Sequence, residues 1–177
     1  LQRDCIAFRN NAQRDIPLAK PRQEITPVVE AAIAIRKRGH YLLRQRAPGE
    51  RWAGLWDFPR FELQNGHASP DPLRDTDRLT ATLQGRIAEL TGLTTEIDSL
   101  VTEFTHAVTR YRIRLLCFRA TCQAGTIRRT DVAWQWIRPT QFNTLALSVS
   151  GRRFSRLLLD DTDGPNRRRR SASRIQH

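Results

Sequence analysis

Gly54-Leu55-Trp56-Asp57-Phe58-Pro59-Arg60-Phe61, together with the downstream stripe Leu79, Leu83, Ile87 and Leu90 and the closing Gly92, is the stretch whose reading decides the fold. The first part reads as a strand over Leu55 to Leu63, entered from a loop, Ala47 to Ala53, that contains Pro48 and Gly49. A polar connection around Gly66, Pro70 and Pro72 leads to the stripe, whose spacing is that of a helix. Asp75 or Asp77 can cap its N-terminus, and Gly92 suits the left-handed residue that ends it. Gly85 inside the stripe costs about 1 kcal/mol relative to Ala. The helix therefore needs a sheet to pack on, and it reads as a crossover helix.

Working outward, Val28 to Ile35 is apolar and β-branched, Gly39 marks a turn and Tyr41 to Arg46 continues, which together make a hairpin with Arg36-Lys37-Arg38 at its solvated corner. Beyond the helix, Thr94 to Phe104 and Tyr111 to Thr121 read as strands. The second alternates, with Tyr111, Ile113 and Leu115 on one face and Arg110, Arg112 and Arg114 on the other. Val132 to Ile137 is a short tryptophan-bearing strand ended by Pro139, and Arg152 to Leu159 is a closing helix with Phe154, Leu157 and Leu158 inward. The order implies an α+β domain, a mixed β-sheet sandwiched by helices, over 27–160. Residues 1–26, punctuated by Pro17 and Pro21, read as an extended connector, and 161–177, with Arg167-Arg168-Arg169-Arg170, as a disordered basic tail.

The 177 residues hold 30 cations against 18 acids, a net charge of +12, and polyanions are the natural partners of such a chain. Only Lys20 and Lys37 among those cations are lysines. Arginine's planar fork suits phosphate and guanine edges, and a GC-rich genome would give the same bias without functional cause. No run approaches the apolar length that spans a bilayer, so a soluble cytoplasmic protein is expected. Leu1 in place of an initiator Met, with no Met anywhere, suggests a piece of a longer chain. Cys5, Cys117 and Cys122 lack metal-ligand spacing and fit reduced thiols, with Cys117 and Cys122 in an apolar strand. Trp52, Trp56, Trp134 and Trp136 read as packing residues with no site role. His40, His67, His106 and His177 are scattered, and neither a nucleophile elbow nor a glycine-rich phosphate loop is present.

Gly54 to Phe61 resembles the start of a Nudix domain. Nudix hydrolases carry a signature ending in Arg-Glu-apolar-x-Glu-Glu-x-Gly-apolar, whose carboxylates hold divalent metal. Matched on Gly92 and Leu93, this chain has Gly85 for the Arg, Arg86 for the first Glu, Ile87 at the apolar site, Glu89 for the second Glu and Leu90 for the third. Magnesium is held by hard anionic oxygens, and here one carboxylate remains, so no catalytic residue and no metal ligand is expected in this chain. Arg60-Phe61 also stands where the signature's paired glycines would follow Phe58-Pro59.

Taken with Cys5-Ile6-Ala7 followed by Pro17 and Lys20, with Phe104-Thr105-His106 and with Trp134 to Leu158, the segment resembles the C-terminal domain of the MutY-type A/G-specific adenine DNA glycosylases. That resemblance implies a lesion-recognition domain of an enzyme that removes adenine mispaired with 8-oxoguanine in base excision repair. Its partners would be double-stranded DNA containing 8-oxoguanine and the catalytic domain of the same parent chain, in a bacterial, nucleoid-associated setting. Phe104, Thr105 and His106 would form the loop that meets the lesion, Thr105 standing where Ser is usual but keeping a hydroxyl that both donates and accepts. In the parent, Cys5 would be the last of four ligands to a [4Fe-4S] cluster, which this piece alone cannot assemble. Arg110, Arg112 and Arg114 read as phosphate clamps or as a solvated face. The alternative reading of the tripeptide is that Thr105 and His106 cap a turn with Phe104 in the core, and the resemblance favours recognition over it. Two further readings stand: a Nudix pyrophosphohydrolase with an atypical metal site, and a basic adaptor that binds through its arginine tail.

Overall fold

The computed structural model describes residues 5–10, 12, 24–66 and 70–159. Most of the connector and all of the basic tail, Arg167 to Arg170 included, lie outside them. Strands β1 (Thr26–Lys37), β2 (His40–Gln45), β3 (Trp56–Asp57), β4 (Arg60–Asn65), β5 (Leu93–Val108), β6 (Tyr111–Gly125) and β7 (Trp134–Ile137) form one 7-stranded mixed sheet. Helix α1 is Ile6–Arg9, α2 is Thr76–Thr91 and α3 spans 149–159.

β1 is central. It runs parallel to β6 along its whole length and meets β4 and then β2 antiparallel on its other edge. A strand covered on both faces reads as a continuous apolar run rather than an alternating one, and Ala31 to Ile35 are all buried. Its hairpin with β2 turns on Arg38 and Gly39, both at positive φ (48° and 78°), the geometry that matches the strands' right-handed twist.

The expected single strand over Leu55 to Leu63 is two. Pro59 has no amide hydrogen to give a ladder, and Phe58-Pro59 is the point at which the chain leaves β2 for β1: β3 pairs with β2, β4 with β1. Asp75 caps α2, its side chain accepting from the Arg78 amide at 3.0 Å, and Gly92 ends it at φ +80°. A Cβ on Gly125 would stand 2.4 Å from the Gly92 carbonyl oxygen, so the end of β6 can approach the helix terminus only as glycine.

Each face of the sheet has its own core. Leu79, Leu83 and Ile87 of α2 pack on Ala31, Ile33, Ile35, Leu116 and Phe118. Phe154 and Leu158 of α3, with Phe142 and Leu147, pack on Ala32, Ala34, Leu115 and Cys117. α3 begins at residue 149 rather than at Arg152, because Ser148 supplies the start: its hydroxyl accepts from the Gly151 amide at 3.0 Å and its carbonyl from Arg152 at 2.8 Å. At 1.5–3 kcal/mol per fully buried large apolar side chain, these two layers dominate the stability of the domain.

Candidate functional site

β5 is the terminal strand of the sheet, and its end carries the tripeptide Phe104-Thr105-His106. These residues are not a loop at the entrance to a strand. The ladder continues through Thr105↔Arg114, His106↔Ile113, Ala107↔Arg112 and Val108↔Tyr111 before the chain turns at Thr109-Arg110. Alternation therefore sends the side chains to opposite faces. Phe104 and His106 point to the α3 side, where Phe104 is buried against the Arg153 guanidinium, 4.7 Å from its ring centre. Thr105 is exposed on the other face.

On the α3 side, reaching round the edge of β5, lies a cleft of about 380 Å³ bordered by Trp52, Leu55, the continuous stretch Phe104 to Val108 with Thr105 in it, Leu147, Val149, Ser150 and Arg153. Its far wall is the loop between β2 and β3, held in shape by charge. Glu50 takes the Arg44 guanidinium at 2.7 Å and the Ala47 amide at 2.8 Å. Burial opposes ionisation of Glu50, but the amide and the guanidinium outweigh it and hold the carboxyl below its ordinary value. Trp52 sits in that loop at φ +61°, a left-handed conformation that a bulky side chain rarely adopts.

Beneath Trp52 is a desolvated charge cluster. Arg60, only 4% exposed, reaches Asp57 at 2.9 Å, Glu30 at 3.2 Å and the Ser150 hydroxyl at 2.8 Å. Arg51 meets Glu30 at 3.1 Å, and Arg46 meets Asp57 at 3.4 Å. Three guanidinium groups face two carboxylates, and all three lie 5.4 to 5.6 Å from the Trp52 ring centre. His106 closes the group, 6.1 Å from Trp52 and tilted by 39°. Burial first, then the Arg60 and Arg51 charges, pull its pKa below the ordinary imidazole value against the opposing Glu30 and Asp57. Neutral at pH 7, it offers one donor and one acceptor, and neither ring nitrogen has a hydrogen-bond partner.

The three alternating arginines differ in availability. Arg114 is engaged by Asp71 and Glu103, both at 2.7 Å, which makes it a strut between β6, β5 and the loop before α2. Arg112 is exposed on the Thr105 face. Arg110 is fully exposed and lies against Tyr111, donating to its hydroxyl at 3.0 Å.

The signature helix does not fit a divalent cation. Arg86 donates to the Glu62 carbonyl and stacks 5.3 Å from the Phe61 ring centre, Ile87 is in the core, and Glu89 is an exposed residue of the helix. Among the described residues no three His, Cys, Asp or Glu side chains are grouped as metal ligands. Arg60, in place of a signature glycine, fills with its own side chain the space a glycine would leave open. Cys5 is an exposed thiol at the start of α1, and Pro17 and Lys20 lie outside the described residues. No described helix is long and apolar enough to cross a membrane.

Sequence reasoning did not find Trp52, Glu30, Asp57 or the three arginines that join them. Charged residues far apart in the chain read as solvated surface, and nothing in the sequence shows Glu30 and Arg60 on adjacent strands. The one usable signal was Arg60 at a glycine position.

A mixed sheet with a helix layer on each face, a helix preceded by an Asp-Phe-Pro segment and ended by glycine, defines the class of the α+β sandwiches. The Nudix domain model matches residues 31–156, well over half of the sequence, and the chain belongs to the Nudix domain family. Similar solved structures include the MutT protein from Methanosarcina mazei, 17% identical, with TM-score 0.61 over 80% of this chain and 99% of that one. A MutT Nudix hydrolase from Burkholderia pseudomallei is 21% identical, with TM-score 0.53 over 74% and 97%. An ADP-ribose pyrophosphatase from Streptococcus suis is 16% identical, with TM-score 0.54 over 85% and 95%. At these identities the likeness is one of fold.

Proposed function

We propose that this Nudix domain reads an oxidised purine in duplex DNA instead of hydrolysing a nucleotide, as the lesion-recognition part of a MutY-type adenine DNA glycosylase. The observation that carries the reading is the exposed hydroxyl of Thr105 on an edge strand, with exposed Arg112 on the same face, in a scaffold whose signature helix presents one carboxylate. 8-Oxoguanine differs from guanine by an added carbonyl oxygen and a protonated N7. A group that both donates and accepts suits that edge, whereas an arginine aimed at guanine's two acceptors meets a donor instead. Because Thr105 and His106 face opposite ways, the open Thr105 face receives the duplex. Arg112 and Arg110 supply salt-sensitive phosphate contacts, while Arg114 keeps the strand in place. The parent enzyme would flip the opposing adenine into its own catalytic domain, which would also house the [4Fe-4S] cluster.

Fluorescence anisotropy of this chain with duplexes carrying 8-oxoguanine or guanine opposite adenine tests the reading. Weak, salt-dependent binding that favours the oxidised duplex is expected, and Thr105→Ala should remove the preference while leaving most of the affinity. Equal affinity of the unaltered chain for both duplexes would sink it. The names of the structural neighbours favour a second reading, a nucleotide pyrophosphohydrolase with an atypical metal site. Turnover that depends on Glu89 would mark that alternative.

A further inference from the structure

On the α2 face of the sheet, past the C-terminal end of that helix, lies a pocket of about 370 Å³. Leu42, Leu93, Ile127, Trp134 and Trp136 give it apolar walls, and Lys37 is the one charged side chain in its lining. The pocket is remote from the tripeptide. Leu93 opens β5 and Thr105 stands near its other end, about 40 Å of strand away at about 3.3 Å per residue.

The charge around the pocket is one-sided. Lys37 lies 5.8 Å from the Trp136 ring centre and donates to the Gly125 carbonyl at 3.4 Å, and no carboxylate pairs with it among the described residues. Arg128 and Arg129 are exposed in the loop between β6 and β7 that forms the rim, and that loop holds one carboxylate, Asp131. Arg128 donates to the Glu89 carbonyl at 3.2 Å, while Arg129 has no partner among the described residues.

β7 adds an open backbone edge. It is paired on one side, with β2, and its other edge is free among the described residues. The Gln45 amide donates to the Ala133 carbonyl at 2.9 Å, which puts Ala133, Gln135 and Ile137 on the ladder to β2 and turns the N–H and C=O of Trp134 and Trp136 outward. The two residues whose rings wall the pocket therefore also offer main-chain hydrogen bonds at the sheet edge.

We propose that this pocket and edge dock an extended acidic segment of a partner protein, one that carries a large apolar side chain among its carboxylates. The apolar side chain fills the space beside Trp136 and Ile127, the carboxylates meet Lys37, Arg128 and Arg129, and the backbone of the segment pairs with β7 as an added strand. Charge decides against the chain's own arginine-rich tail as the occupant, since it has the same sign as the rim. Chemistry decides against a nucleobase, whose edge donors and acceptors would enter a lining with few polar groups to meet them: the Trp134 indole N–H is already given to the Thr130 hydroxyl at 2.9 Å.

The test is anisotropy of the full 177-residue chain with a short fluorescein-labelled peptide of glutamates around one phenylalanine, beside the same peptide with alanine for the phenylalanine and beside oligothymidylate. The phenylalanine peptide should bind in a salt-sensitive way, and the alanine peptide about tenfold more weakly. Trp136→Ala should cost about tenfold for the phenylalanine peptide, and Trp136→Phe should restore most of it. Arg129→Glu, at an exposed position with no contact to lose, should weaken binding and flatten its salt dependence, as should Lys37→Glu. Equal affinity for the phenylalanine and alanine peptides would overturn the proposal, as would affinity unchanged in both Arg129→Glu and Lys37→Glu. Oligothymidylate bound more tightly than the peptide, and lost in the same variants, would make the surface one for nucleic acid and overturn it too. The peptide titration contains no DNA, so the lesion reading can fail while this one stands.

Discussion

Arg60→Ala perturbs the site at its centre. The guanidinium is 4% exposed and its partners Asp57 and Glu30 are 1% and 8% exposed, so all three charges are out of water. Removing one partner from such a buried arrangement costs about 3–5 kcal/mol, because the remaining charges keep their desolvation penalty without its compensation. Here two contacts remain, Arg51 on Glu30 at 3.1 Å and Arg46 on Asp57 at 3.4 Å, which places the loss at the lower end, about 3 kcal/mol. For a chain of this length that is a fall in Tm of about 6–12 °C. Urea denaturation with linear extrapolation is the assay, and the midpoint should fall while the slope stays constant, since the surface exposed on unfolding is the same. A loss under about 1 kcal/mol would show that the cluster is held by its surroundings and not by Arg60, and the case for an arginine filling a glycine's place would go with it.

Other outcomes follow from the same geometry. Thr109→Gly should raise stability by about 1 kcal/mol, since a left-handed φ of +53° is disfavoured for an L residue with a branched Cβ and free for glycine. His106 has a folded pKa below the ordinary 6.5, so the unfolded chain takes up the proton first. Its contribution is present above pH 6.5 and lost as pH falls towards the folded value, and the difference in unfolding free energy between the unaltered chain and His106→Asn should shrink over that window. Burial, reinforced by Asp57, pushes the Cys117 thiol up to about 12, so alkylation of the native chain at pH 8 should label Cys5, spare Cys117, and reach Cys117 only after denaturation. In duplex binding, Arg112→Ala should reduce the salt slope by about 1, whereas Arg114→Ala should leave it nearly unchanged, since Arg114 is already committed to Asp71 and Glu103.

The helix and the sheet were readable in advance for simple physical reasons. Leu79, Leu83 and Ile87 recur at helical spacing between an aspartate cap and a left-handed glycine, and each of those signals is local. The apolar run Val28 to Ile35 announced a strand, and its burial on both faces came with the structure. Strand ends were harder. β5 was expected to stop at Phe104 because Phe104-Thr105-His106 resembles a loop of the glycosylase family, but pairing with Arg112 and Arg114 carries it on to Val108, and that pairing is not visible one strand at a time. Of the candidate site, the carboxylates absent from the signature helix were legible, because they are a matter of residue identity alone. The opposed directions of Thr105 and His106 followed only from the register, and the burial of Arg60 and Glu30 only from the bulged meeting of β1 and β4, with Asp57 brought to them by the pairing of β3 with β2. A charge in a sequence does not say whether its partner is water.

The account's central claim is that this Nudix scaffold has given up its cation cage. Phosphate release from nucleoside triphosphates and diphosphate sugars in the presence of magnesium or manganese tests it most directly. The prediction is a rate no greater than that without protein, the same for the unaltered chain and for Glu89→Gln. Metal-dependent turnover that disappears in Glu89→Gln would contradict it.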